Sequence, residues 1–228
     1  LEAEFVHEFR RNGVDMSYQP IVGGGANGCV LHYIENNDVL NDGDLVLCDV
    51  GCEYDYYASD ITRTWPVNGQ FTEAQRELYE IVLEAHDAAI ECANAGNHRN
   101  DPHEAAVEVI TRGLMRVGLL KGTLKSLIKK GKYSRFFMHR TGHWLGMDVH
   151  DVGDYKVSDQ WRLLEPGMVM TIEPGLYIPD ARNIPKRYRN IGIRIEDDVV
   201  VRRDGCDVLT SGVPVDPDEV EALVGSAL

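Results

Sequence analysis

The sequence predicts an α+β fold in preference to a doubly wound parallel sheet. Short apolar runs bounded by glycine, proline or Asn-Asp turns read as strands toward both ends of the chain. Two amphipathic helical stretches lie together between them. The grouping of strands, then helices, then strands lacks the strict alternation that a parallel sheet requires.

The elements follow in order. Glu2 to Arg11 is a helical pattern with Phe5, Val6 and Phe9 on one side, and it is expected to be a helix cut partway, with sequence preceding it. Tyr18 to His32 is glycine-rich, with Gly23-Gly24-Gly25 followed by Gly28. A phosphate loop needs another spacing and a helix directly after it, whereas Cys29 to Ile34 reads as a strand, so this segment is expected to be a strand and turn lining a site. Asn41 to Asp44 is a turn. Leu45 to Gly51 then reads as a buried strand with Asp49 at its far end, and Tyr56 to Thr64 as a second run carrying Asp60, the two forming an antiparallel hairpin.

Thr72 and Gln75 make a capping box, and Leu78, Ile81, Val82, Ala85, Ala89 and Cys92 recur at helical spacing until Gly96. Asp101-Pro102 starts another helix, with Val107, Ile110, Leu114 and Val117 facing inward. A histidine-rich loop, Phe136 to Asp151, comes next. Strands return at Met168 to Gly175 and at Ile191 to Val201, and Asp204-Gly205 is a hairpin turn into Cys206.

Composition narrows the function classes. With 228 residues, 43% of them hydrophobic, the chain can build one large core, and a single domain over residues 1–228 is expected. A formal charge of -14 disfavours nucleic acid, whose phosphates select for Lys and Arg. The one basic stretch, Lys121, Lys125, Lys129, Lys130, Lys132 and Arg135, reads as the solvated face of a short helix and the loop after it. Five cysteines, an odd number with no CxxC pair, argue against a disulfide framework and for a reducing, cytoplasmic setting. No apolar run approaches a membrane span, so no membrane partner is expected.

Asp49, Asp60, His143, Glu173 and Glu196 each sit in a short apolar or glycine-bounded segment. Strand alternation puts Ile191, Ile193 and Ile195 on one face and Gly192, Arg194 and Glu196 on the other. The same parity groups Met168, Met170 and Ile172, leaving Glu173 just before Pro174-Gly175. Each residue has a bland alternative. Acids at strand ends solvate turns, Glu196-Asp197-Asp198 could be an acidic edge against aggregation, and His143 could be a hydrogen-bonded core histidine. His139 and His143 are four apart, as in a helical zinc pair, but the glycines around them and the lack of HExxH argue against that class. Together the acids decide the matter, because four carboxylates in one interior repel each other unless cations neutralise them.

Asp49-x10-Asp60, the loop MHRTGHWLGMDVHDVG with His139, His143 and His150, TIEPGLY with Glu173 and GIRIEDD with Glu196 closely resemble the pita-bread metallopeptidases, and within them the aminopeptidase P group. The similarity runs over essentially the whole chain. It implies a pita-bread fold, a curved and mainly antiparallel sheet with helices on its outer face. Full-length members carry an N-terminal domain, so the chain is expected to be a catalytic domain alone, and homo-oligomerisation stays open for the full-length protein.

The resemblance also implies a dinuclear centre. Asp49 chelates one ion, Asp60 and Glu196 bridge both, and His143 and Glu173 complete the other. The hard, oxygen-rich donor set favours Mn, with Co, Fe or Zn as alternatives. Hydroxide held between the ions is the implied nucleophile. Glu173 acts as proton shuttle, His150 and His32 contact the substrate or oxyanion, His139 positions the substrate and Arg194 orients a ligand carboxylate. The implied reaction removes an N-terminal residue preceding proline, from a peptide with proline at its second position. A prolidase acting on Xaa-Pro dipeptides shares all five ligands and remains the rival. A methionine aminopeptidase fits the DVHDVG and HRTGHWLG wording less well, and a non-catalytic peptide- or histone-binding relative would have lost ligands.

Overall fold

The computed structural model describes residues 1–226. Helix α1 (Glu2–Arg11) leads into β1 (Asp15–Met16), β2 (Ile21–Gly24), β3 (Leu45–Val50), β4 (Cys52–Tyr54), β5 (Tyr57–Ala58) and β6 (Ile61–Pro66). Helices α2 (Glu73–Glu91), α3 (Asp101–Arg116) and α4 (Leu124–Lys129) follow. After the histidine loop come β7 (Lys156–Val157), β8 (Gln160–Trp161), β9 (Val169–Ile172), β10 (Gly175–Ile178), β11 (Ile191–Arg194), β12 (Asp197–Val201), β13 (Cys206–Val208) and α5 (Pro217–Gly225).

Every strand pairing among the described residues is antiparallel, in the orders β2-β3-β6, β10-β11, β13-β12-β9, β1-β4-β5 and β7-β8. The N-terminal and C-terminal sheets meet at a bridge between Thr62 and Glu196. Buried Arg63 secures that seam by donating from Nη1 to the Glu196 carbonyl at 2.7 Å and from Nη2 to Asp197 Oδ1 at 2.7 Å.

Helix α2 starts where Thr72 accepts from the Gln75 amide while Gln75 Oε1 accepts from the Thr72 amide, a reciprocal cap whose loss costs about 1 kcal/mol. Its apolar stripe, with that of α3, packs on Met170, Ile172, Ile193, Ile195 and Val199 to form the main core. The alternation expected for residues 191–196 holds: the three isoleucines enter this core, while Arg194 and Glu196 face the opposite side. Phe5 of α1 packs on Val22, Val46 and Cys48. The lysines from 121 to 132 and Arg135 are exposed, all five cysteines are free, and no described helix is long and apolar enough to cross a membrane.

Four local expectations need correction. Cys29 to Ile34 forms no strand: residues Gly25–Cys29 are a 3-10 turn and the chain beyond is irregular. The cause is close backbone contact, since a Cβ on Gly192 would lie 2.1 Å from the Gly28 carbonyl oxygen and one on Gly23 would meet Asn27 backbone at 3.0 Å. The strands bearing Asp49 and Asp60 do pair, but an excursion through β4 and β5 joins them, and Asp60 precedes β6. Helix α2 ends at Glu91 rather than near Gly96. The run Ile191 to Val201 is two strands, because Pro174 has no N–H to continue the ladder and the chain changes partner from β10 to β9.

Candidate metal centre and cleft

A cleft of about 920 Å³ opens on the face away from the helices, and all of Asp49, Asp60, His143, Glu173 and Glu196 line it. His32, His139, His150 and Arg194 line it too, so the structure brings every residue singled out from the sequence to one place. Strand β3 supplies Asp49, and the residue before β6 supplies Asp60. Glu173 lies in the break between β9 and β10, and Glu196 in the break between β11 and β12. Both breaks free a side chain at a point where a continuous ladder would have fixed it.

The histidine loop is registered on β9. The His143 amide donates to Thr171 Oγ1 at 3.1 Å, the Thr171 amide donates to the His143 carbonyl at 3.0 Å, and the Glu173 amide donates to the Thr141 carbonyl at 3.1 Å. Gly142 is required there, since a Cβ would lie 1.9 Å from the Thr171 carbonyl oxygen. His143 Nδ1 is 2.9 Å from the Trp144 carbonyl, which can only accept, so Nδ1 carries the proton and Nε2 offers its lone pair to the cleft, 3.3 Å from Asp60 Oδ2.

Asp60, His143 and Glu196 each present an atom within 4.8 Å of the others. Asp49 and Glu173 flank this group. Burial, then the charges of Asp60, Glu173 and Asp49, hold Glu196 well above the usual carboxylate range. Burial likewise raises Glu173 to about 7 against the opposing pull of His143 and Arg194. Burial also raises Asp49, although Arg194 opposes it. The protein's own cations therefore do not neutralise the cluster, and a donor set of four carboxylates and one imidazole fits hard divalent cations.

Tyr18, Thr62 and Tyr177 escaped the sequence reading as working groups. The Tyr18 hydroxyl lies 2.5 Å from Asp49 Oδ1 and 2.5 Å from Asp60 Oδ1, joining the two aspartates. Thr62 donates to Glu196 Oε2 at 2.5 Å. Arg194 donates from Nε to Thr62 at 3.0 Å, from Nη1 to the Tyr177 hydroxyl at 2.9 Å and from Nη2 to Asp49 at 2.5 Å. His139 Nδ1 sits 2.8 Å from the Arg140 carbonyl, so its Nε2 accepts from Tyr177 at 2.8 Å. Burial, then Arg194, lowers His139 to about 4, leaving a neutral imidazole at pH 7. Thr62 shares strand parity with Asp60, a signal that could have been read, whereas nothing local marks Tyr18.

His32 and His150 are exposed on the rim, and the His150 ring stands edge-on to His143 with centroids 4.2 Å apart. Burial, then the neighbouring His143, lowers the pKa of His150.

A curved antiparallel sheet that carries helices on one face and a carboxylate-rich cradle on the other defines a pita-bread protein with a metallopeptidase-type donor set. The family model described as Metallopeptidase family M24 matches residues 1–203, and the chain belongs to that family. It is 51% identical over 228 residues to Xaa-Pro aminopeptidase of Escherichia coli strain K12, covering 100% of this chain and 52% of that protein. It is 43% identical to Xaa-Pro aminopeptidase 3 of Mus musculus, covering 98% and 44%. Among solved structures, Pseudomonas aeruginosa aminopeptidase PepP superposes with a TM-score of 0.98 at 56% identity, covering 99% of this chain and 52% of that one. A glutamate-to-alanine variant of Escherichia coli aminopeptidase P in complex with substrate gives 0.96 at 51% identity, covering 99% and 51%. The chain thus spans about half the length of these relatives.

Proposed function

We propose that the chain is the catalytic part of an Xaa-Pro aminopeptidase, which hydrolyses the bond between an N-terminal residue and a following proline. The observation that carries this reading is the convergence of Asp49, Asp60, His143, Glu173 and Glu196 in one cleft, in a chain whose relatives bear that name. Two divalent ions, with Mn favoured, would be held by Asp49, Asp60 and Glu196 on one side and by Asp60, Glu196, His143 and Glu173 on the other. Bound there, such ions would acidify water and stabilise negative charge on the substrate carbonyl.

The chain's own residues do the rest. Glu173, in the cleft beside His139, is placed to take a proton and return it to the leaving proline nitrogen. Neutral His139, clamped between Arg140 and Tyr177, positions the substrate beside Glu173, whose Oε2 is 3.6 Å from its Nδ1. His32 and His150 contact the substrate from the rim. Arg194 keeps Asp49 oriented. The Xaa-Pro bond is a tertiary amide with no N–H, so recognition must come from shape and from contacts to neighbouring groups.

The test compares an Xaa-Pro dipeptide with an Xaa-Pro tripeptide, in chelator and after restoring Mn. Tripeptide cleavage that EDTA abolishes and Mn restores supports the aminopeptidase reading. Cleavage of the dipeptide alone makes the protein a prolidase, and full activity in metal-free buffer overturns the metal centre. Glu173→Ala is expected to abolish turnover with the fold intact.

A further inference from the structure

One wall of the cleft is cationic in a chain of net charge -14. Arg99, Arg140 and Lys156 line it, and none lies within salt-bridge distance of a carboxylate among the described residues, although exposed Asp154 shares the rim. Arg99 is the unusual member. It is 4% exposed, and its Nε and Nη2 are buried with no hydrogen-bond partner. Its guanidinium carbon rests 5.0 Å from the Trp144 ring centroid and 5.3 Å from that of Tyr155, contacts that hold the group without using its N–H donors. Trp144, a core residue that stacks on Tyr155, also has its indole Nε1–H buried without an acceptor.

Buried donors are almost always satisfied, so a guanidinium that lines the cleft with two N–H groups unbonded is under-used as a donor; Nε and Nη2 are shielded, and Nη1 is the nitrogen left to meet an acceptor there. Arg140 reinforces the point. It is bonded to the neutral Asn100 side chain and stacks 5.0 Å over Trp161; burial chiefly lowers the pKa of Arg99, Arg140 adds to that, and Tyr155 and Glu173 oppose it. Two guanidinium groups in one cleft lining, with no carboxylate at salt-bridge distance from either, form a site for a planar anion. Arg140 directly follows His139, whose Nδ1 is 3.6 Å from Glu173, so the wall begins one residue from the carboxylate cluster. An extended peptide advances at most about 3.6 Å per residue, so a carboxylate two residues beyond a scissile bond falls about 7 Å from it.

We infer that Arg99, with Arg140 beside it, forms a carboxylate-binding subsite that takes the C-terminal carboxylate of a short peptide, or an acidic side chain at its third position. The inference rests on the peptidase reading, and it deepens that reading by favouring tripeptides with a free C-terminus.

The test uses the intact, Mn-loaded protein. Values of kcat/KM are compared for Ala-Pro-Ala and its C-terminal amide, and titration calorimetry compares Pro-Ala with its amide, neither of which has a scissile Xaa-Pro bond. The acid forms are expected to win by about tenfold in both measurements, the size of one charge-assisted hydrogen bond. The preference disappears in Arg99→Met, survives largely in Arg99→Lys and shrinks in Arg140→Gln. Recovery with Ala-Pro-Glu amide assigns recognition to any third-position carboxylate, and no recovery assigns it to the terminus. Equal use of acid and amide by the unmodified protein, or an equal loss for both in Arg99→Met, overturns the subsite. If no Xaa-Pro peptide is cleaved, the peptidase reading fails while calorimetry still decides the subsite. If Arg99→Met does not fold, the acid-to-amide ratios of the unmodified protein and of Arg140→Gln decide it.

Discussion

Arg194 reaches Asp49 across the sheet, with Nη2 2.5 Å from Oδ2, although 145 residues separate them in the chain. Both are buried, and the same guanidinium also holds Thr62 and Tyr177. One planar fork therefore fixes the orientation of a carboxylate in the cluster. Lysine cannot reproduce three divergent bonds. Arg194→Lys is expected to keep the fold and to weaken divalent-ion affinity about 10–100-fold. Metal titration followed by calorimetry measures this, and unchanged affinity refutes the orienting role.

The Arg194, Tyr177 and His139 chain runs in one direction, from guanidinium N–H to phenol oxygen and from phenol O–H to imidazole Nε2. Replacing His139 by alanine removes the end of the chain and its 3.6 Å approach to Glu173 but leaves all five proposed ligands in place. Turnover is expected to fall roughly 10²-fold with two ions still bound. Elemental analysis alongside kinetics checks it, and loss of metal from the variant contradicts a purely positioning role.

Gly142→Ala tests how the loop is registered. Its Cβ would press on the Thr171 carbonyl oxygen at 1.9 Å, where the chain exchanges bonds between His143 and Thr171. The backbone must move, at a cost of about 1–3 kcal/mol, and His143 moves with it. A lower unfolding midpoint and reduced metal content are expected together; a normal metal content at an unchanged midpoint counts against this registration.

Beneath the seam, His86 Nε2 is 2.9 Å from Asp197 Oδ2, and Asp197 also pairs with Arg63. Burial pulls the His86 pKa down, but the close carboxylates of Asp197 and Asp87 outweigh it and the net shift is upward. The reverse holds at Asp197, which burial raises and the bonds to His86 and Arg63 lower overall. A raised histidine stabilises the fold fully below its unfolded value of 6.5 and loses that contribution as pH climbs through its folded value. A lowered aspartate contributes fully above 3.8 and loses its share as pH falls through its folded value. The pair is at full strength between those limits. His86→Leu is expected to cost about 1.5–3 kcal/mol near pH 6, with the gap to the parent protein narrowing at alkaline pH. Denaturant unfolding across that range measures it, and a gap independent of pH removes the charge on His86 from the account.

Much of this arrangement was legible in the residues because alternation is a strict rule. Parity sorted Ile191, Ile193 and Ile195 from Arg194 and Glu196, and Thr72 with Gln75 marked the start of α2. What failed were the places where backbone contact overrides side-chain pattern. Cys29 to Ile34 has strand-forming composition, but the approach of Gly28 to Gly192 leaves it no partner. The break at Glu196 depends on Pro174, far away in sequence, and no local signal reports it. Tyr18 and Arg99 gain their meaning only from neighbours that folding supplies.

The seam between the sheets has a further consequence. Asp49 and Asp60 stand on one bank and Glu173 and Glu196 on the other, joined by the Thr62 to Glu196 bridge, the Arg63 contacts and the bonds of Arg194 to Asp49, Thr62 and Thr64. A cation gripping both banks would act as a removable staple, since a ligand that binds only the native state stabilises it by mass action. A copy starved of metal would lack that staple, and faster deuterium exchange at the Glu196 amide, which donates to the Thr62 carbonyl across the seam, would report its absence.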